Sequence, residues 1–236
     1  QAYFGGWVEV SREAGIRRRK RMISRNIVSW SIPFNYSLVT RLSPLQDRVS
    51  WALIQHLPIL YLVAVGGQIA DLPVRCAVAV IAMICMQTFY EMGYIQNDVL
   101  TTRSEAAPTL RLPASLLEFG VNKFASIIVV RLIIGSALFV AFLTLAWLSG
   151  AAVNTGLFVA VLLTTMMAFH LHNSTRSRWN VATYFLLACG RYGAVPVLLA
   201  PEGQVAIYAL ISVLMVPLVR TLEHACKPKY GLATLS

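Results

Sequence analysis

Six long apolar stretches dominate the chain and leave it one kind of environment. They run over residues 52–70, 74–95, 124–148, 151–169, 181–200 and 205–219. A helix crosses the hydrocarbon core with about 20 mostly apolar residues. Barrel strands would alternate in polarity over about ten residues. These runs are continuous, so the spacing predicts helices. The last is short, and Arg220 extends it by snorkelling its head to the interface. The chain is 57% hydrophobic and 13% charged, whereas a soluble domain carries about 25% charged residues. That composition excludes a soluble enzyme, a secreted disulfide scaffold and a disordered regulator. The expected fold is an all-α, polytopic transmembrane bundle of about six spans over residues 51–221. A basic, amphipathic interfacial segment (1–50) precedes it and a short tail (222–236) follows.

Charge orients the spans. Connectors 71–73, 149–150 and 201–204 contain no Lys or Arg, whereas segments 1–51, 96–123, 171–180 and 220–236 hold 17 of the 20 basic residues. The positive-inside rule then puts both termini in the cytoplasm, and we expect a multi-pass protein of a bacterial inner membrane. The formal net charge of +10 would suggest nucleic acid in a soluble protein. Here topology and anionic lipid explain it, and no nucleic-acid partner is expected. Cys76, Cys85, Cys189 and Cys226 form no CxxC pair and read as small buried hydrophobes. No signal peptide is apparent, and a chain opening on Gln1 reads as processed or partial.

In the N-terminal segment, Arg17, Arg18, Arg19, Lys20, Arg21 and Arg25 precede Ile27, Val28, Trp30, Ile32, Phe34, Tyr36, Leu38 and Val39. The pattern is that of an interfacial segment held by anionic headgroups. It serves either as a topology anchor or as part of a substrate-headgroup site.

Ionisable groups inside membrane helices are costly and mark a partner or a site. Glu91, Arg131 and Arg191 stand out. Glu91 could pair with either arginine as a helix-to-helix contact, or an arginine could be left to meet phosphate in a bidentate way. Tyr90 and Tyr94, four apart, share a helix face and either anchor the interface or line a pocket beside Glu91. Gly190 and Pro196 form the one candidate helix break, the feature a transporter would need.

The stretch 89–113, FYEMGYIQNDVLTTRSEAAPTLRLP, is long and polar for a connector. Asn97, Asp98 and Glu105 offer oxygen ligands, and Arg103 and Arg111 offer anion contacts. Hard oxygens suit Mg²⁺, which binds through one or two carboxylates plus substrate phosphates. A fainter echo comes after the fourth span, where Phe169-His170 runs into a loop with Asn173, Arg176 and Arg178. Two such loops could face each other across the bundle.

Asn97-Asp98 at the cytoplasmic end of the second span, with Glu105 and Arg111 downstream, resembles the first signature of the UbiA-type intramembrane prenyltransferases. That signature reads Asn-Asp-x-x-Asp-x-x-x-Asp with a downstream Arg. Thr101 stands at its second Asp, Glu105 at its third and Arg111 near its Arg. The match covers about 15 residues. The resemblance implies an all-helical bundle with a cavity open to lipid, in which acidic clusters hold Mg²⁺ against the diphosphate of a prenyl donor. The metal would neutralise the departing anion, and an apolar cavity would keep water from the allylic cation. On this reading Asp98 and Glu105 are catalytic, and Asn97, Asp98 and Glu105 bind the metal. Asn97, Arg103, Arg111, Arg176, Arg178, Glu91, Tyr94 and Arg191 contact substrate. The sequence departs from the family in having six spans instead of about nine, and in lacking a carboxylate in loop 170–180, where the second acidic signature would lie. Arg176 and Arg178 could meet phosphate there directly. The expected function is binding of a polyprenyl phosphate or diphosphate, with prenyl transfer. The alternative is a non-catalytic subunit of the same fold that holds lipid or scaffolds a membrane complex with protein partners.

Overall fold

A computed structural model describes residues 25–42, 44–104, 109–175 and 177–226. The described chain is helical and contains no strand. Two short helices, α1 (Ile27–Ser31) and α2 (Asn35–Thr40), precede five long ones: α3 (Leu45–Val65), α4 (Leu72–Val99), α5 (Ala114–Ser149), α6 (Thr155–Ser174) and α7 (Trp179–Leu198). The chain ends in α8 (Val205–Met215) and α9 (Pro217–Ala225). Counting α8 and α9 as one, six helices are long and apolar enough to cross a membrane, as the hydropathy pattern predicts. The protein is an all-α polytopic bundle.

α4 lies at the centre and packs against α2, α3, α5, α6 and α7. In lipid, apolar contact between helices is not favoured over contact with acyl chains, so close packing and internal hydrogen bonds must hold a bundle together. Glycines permit that approach. Phe169 of α6 packs against Gly93 of α4, and Phe89 of α4 lies so close to Gly135 of α5 that a methyl group there would sit 2.6 Å from the ring. The tyrosine pair expected on α4 is present: Tyr90 and Tyr94 meet edge to face at 5.2 Å, and Phe169 packs on both.

Helix ends carry unpaired carbonyls that lipid cannot satisfy. At the end away from the basic connectors, side chains satisfy them. Arg75 donates to Val63 O at 3.2 Å and Leu199 O at 3.0 Å. Asn154 donates to Val197 O and Ala200 O, and Tyr208 to Leu62 O. Gly150 closes α5 in the left-handed region (φ 69°), which favours glycine, and its N–H returns to the last turn.

Two features differ from the sequence reading. The last span breaks at Val216 (φ −134°), because the proline ring at 217 pushes the preceding residue out of helical geometry. The fifth span does not break: α7 continues through Gly190 and carries Pro196 near its end. The N-terminal segment packs into the bundle. Val28 and Ile32 are exposed, but Trp30, Tyr36 and Val39 are buried with Ile95, Val99, Leu116 and Ile127 of α4 and α5. Residues 27–40 therefore pack against α4 and α5. The basic run 17–21 lies outside the described residues.

Arg131 of α5 holds this segment in place. It is fully buried and donates to Glu91 of α4 at 2.8 Å, to Trp30 O at 2.9 Å, to Thr88 O at 3.1 Å and to Ile32 O at 3.4 Å. The second oxygen of Glu91 accepts the Ser37 N–H at 2.7 Å. One ion pair thus joins α4, α5 and the α1–α2 segment. Removing one member of a buried pair costs about 3–5 kcal/mol. Glu91→Gln should therefore lower the thermal midpoint of the detergent-solubilised protein sharply. Arg131→Met should lower it further, because three backbone carbonyls lose their donor as well.

Candidate functional site

The basic end of α4 carries the residues that the sequence singled out. Asn97 and Asp98 occupy its last turn, and a 3₁₀ turn, Thr101–Ser104, comes next. The Asp98 side chain is 2% exposed. Its carboxylate accepts from Tyr36 Oη at 2.9 Å, Arg111 Nη1 at 3.1 Å and Asn97 Nδ2 at 3.1 Å. Arg41 Nη2 lies 3.0 Å from one oxygen and 3.1 Å from the other. Thr102 donates to the Asp98 backbone carbonyl at 2.8 Å. Burial, and then the Asp98 charge, push the Tyr36 phenol well above its usual range, although Arg41 and Arg111 pull the other way. Tyr36 therefore stays protonated and donates.

This geometry decides what the Asp98 cluster can hold. A carboxylate offers about four lone-pair sites, and two guanidiniums, a phenol and an amide fill them. Two cations face one anion, so the cluster carries a net positive charge. Among the described residues no three His, Cys, Asp or Glu side chains come together as metal ligands. Glu105, the other acid expected to bind Mg²⁺, lies outside the described residues. The described residues do not fit Mg²⁺ at Asp98.

The remaining expected site residues separate into three groups. Glu91 is committed to Arg131 and Ser37, about two helical turns deeper than the Asp98 cluster. Arg103 and Arg178 are exposed at the basic end, and Arg176 lies outside the described residues. Tyr94 and Arg191 do come together: Arg191 Nη1 donates to Tyr94 Oη at 3.1 Å, and the Arg191 guanidinium lies 4.9 Å from the Tyr90 ring. Arg41 covers the face of the Tyr94 ring at 4.4 Å. The two polar connectors also meet in part, since Asn173 donates to Gly93 O at 3.1 Å and Gln96 Oε1 at 3.3 Å.

Sequence reasoning missed Arg41, Trp51 and His56, and placed Tyr36 only within the N-terminal segment. Trp51 of α3 lies 5.5 Å from the Arg191 guanidinium and meets His56 edge-on at 4.7 Å. Gln55 and His56 are polar groups inside an apolar span, which is a legible signal for a site. Arg41 had no such signal, because its segment read as interfacial. Scans against protein-family models, curated proteins and solved structures return no match to this chain.

Exchanging Asp98 for Asn would leave Arg41 and Arg111 without their counter-charge and loosen the α2 end. Trypsin should then cut after Arg41 several times faster in Asp98→Asn than in the parent protein, as monitored by intact mass.

Proposed function

We propose that the protein is a UbiA-like integral membrane protein whose arginines bind the phosphate or diphosphate of a polyprenyl lipid. One observation carries this reading: two guanidiniums, Arg41 and Arg111, share the single carboxylate of Asp98 at the basic end of α4. The excess positive charge lies beside a lipid-embedded bundle, where a headgroup oxyanion is its natural complement. Arg103 and Arg178, exposed at the same end, would draw anionic headgroups toward it.

Prenyl transfer with Mg²⁺ is what the family resemblance adds. In that chemistry a metal would neutralise the departing diphosphate, and the residues around Asp98 do not fit one. Because arginines fill the coordination positions of Asp98, the same observation favours a non-catalytic protein that holds lipid, alone or in a membrane complex, over a transferase. The orientation proposed for it is the one the basic connectors favour, with both termini in the cytoplasm of a bacterial cell.

Binding of farnesyl diphosphate to the purified protein tests the function. The expected result is binding that EDTA leaves unchanged and that Arg111→Gln weakens about tenfold, the scale of one lost charged hydrogen bond. Binding that vanishes with EDTA, together with prenyl transfer that Asp98→Asn abolishes, would favour the metal-dependent enzyme instead. Orientation has its own test, single cysteines introduced into a cysteine-free background. A membrane-impermeant maleimide added to intact cells should label Glu202→Cys and spare Ser177→Cys; both native residues are exposed, at opposite ends of the bundle.

A further inference from the structure

We infer that the protein holds a phosphate-type oxyanion inside the bundle, between the Arg41 and Arg191 guanidiniums and against Trp51 and His56. The inference rests on the phosphate-binding reading above and locates the site more deeply than the Asp98 cluster.

Buried polar atoms are almost always hydrogen-bonded, and each exception asks for a cause. Exceptions concentrate here. Arg41 Nε and Nη1, Arg191 Nε, Trp51 Nε1 and His56 Nδ1 are all buried and find no hydrogen-bond partner among the described residues. The first four are obligate donors, and the histidine nitrogen donates in one tautomer. A set of donors with no acceptor is complementary to a group that only accepts. Gln55 Oε1, unpartnered on the same face of α3 as Trp51, would take the hydroxyl of a protonated phosphate.

The donors belong to one constellation although they come from separate elements. Tyr94 joins the two arginines, with Arg41 on its ring and Arg191 on its hydroxyl. Arg191 in turn lies under Trp51, and Trp51 under His56. Phe34 forms a further wall, edge-on to Trp51 at 5.7 Å and to His56 at 5.9 Å. Among the described non-glycine residues Phe34 alone has a positive φ, 67°. Such strain persists where surrounding contacts enforce it, and it clusters at ligand sites.

Charge points the same way. Arg191 makes no ion pair among the described residues, since Glu91 is taken by Arg131 and Asp98 by Arg41 and Arg111. An uncompensated guanidinium within a membrane span is costly, and an oxyanion would compensate it. Trp51 and His56 are half-buried, so the constellation borders the surface of α3 and a headgroup can reach it without crossing the core.

A lipid headgroup and free phosphate share this chemistry, and calorimetry on the full chain separates them. The protein is reconstituted in phosphatidylcholine nanodiscs, so that no anionic lipid competes. The probes are farnesyl diphosphate, inorganic pyrophosphate, and farnesol as the uncharged control. Arg191→Gln should weaken farnesyl diphosphate by about tenfold and Trp51→Phe by about threefold, the losses expected from removing a charged and a neutral donor. Farnesol should bind both variants as it binds the parent. Trp51→Phe keeps the ring contacts, so it reports on the donor even where Arg191→Gln fails to fold. Farnesyl diphosphate should also shift tryptophan emission in the parent and not in Trp51→Phe. Pyrophosphate binding with the same dependence, and none by farnesyl diphosphate, would support the site and overturn the polyprenyl reading. Farnesyl diphosphate binding unchanged in both variants would overturn the site and leave the polyprenyl reading standing. Binding of neither probe would overturn both.

Discussion

A guanidinium with no access to water must find every one of its partners inside the protein, and Arg131 imposes that demand on this bundle. Its donors reach one carboxylate and three backbone carbonyls. Two of those carbonyls, of Trp30 and Ile32, belong to a segment that precedes the first span. The bundle therefore cannot close around α4 and α5 alone. The α1–α2 segment is the missing shell of an ion pair, and Trp30 and Tyr36 fill the space between the helices that it covers. Arg41 and Phe34 arrive at the candidate site because Arg131 and Glu91 have already fixed the residues around them.

With Arg131 committed to the core, Arg41, Arg111 and Arg191 form two neighbouring groups, and Arg41 belongs to both. One of its nitrogens joins Arg111 in neutralising Asp98, and its other two remain unpartnered beside the ring of Tyr94, whose hydroxyl Arg191 holds. The Asp98 cluster is satisfied and cationic, whereas the Tyr94 constellation is buried and short of acceptors. A carboxylate whose lone pairs are already taken by two arginines, a phenol and an amide is poorly suited to hosting a divalent cation.

The spans were legible because continuous apolar runs of this length admit one solution in lipid. Glu91 and Arg131 were legible as costly groups, and the structure pairs them with each other rather than with Arg191. The break before Pro217 could have been read from the proline, yet the run of apolar residues through it concealed the signal. The docking of residues 27–40 was not legible. Their apolar residues are interrupted by Ser and Asn, which reads as an interface. Only the tertiary partners, Glu91 for the Ser37 N–H and Arg131 for the Trp30 and Ile32 carbonyls, make that backbone tolerable inside the bundle. Asp98 was found for its chemistry, but its partner Arg41 lies 57 residues away, and local spacing cannot express that distance.

The ion pair also sets an order on biogenesis. Chain order brings α4 into the bilayer before α5, so Glu91 is already there when Arg131 arrives, and the arginine need not linger alone in hydrocarbon. The segment around Trp30, though synthesised first, has nothing to dock against until that pair has formed. Its contacts with Arg131 can form only after α3, α4 and α5 have all been made.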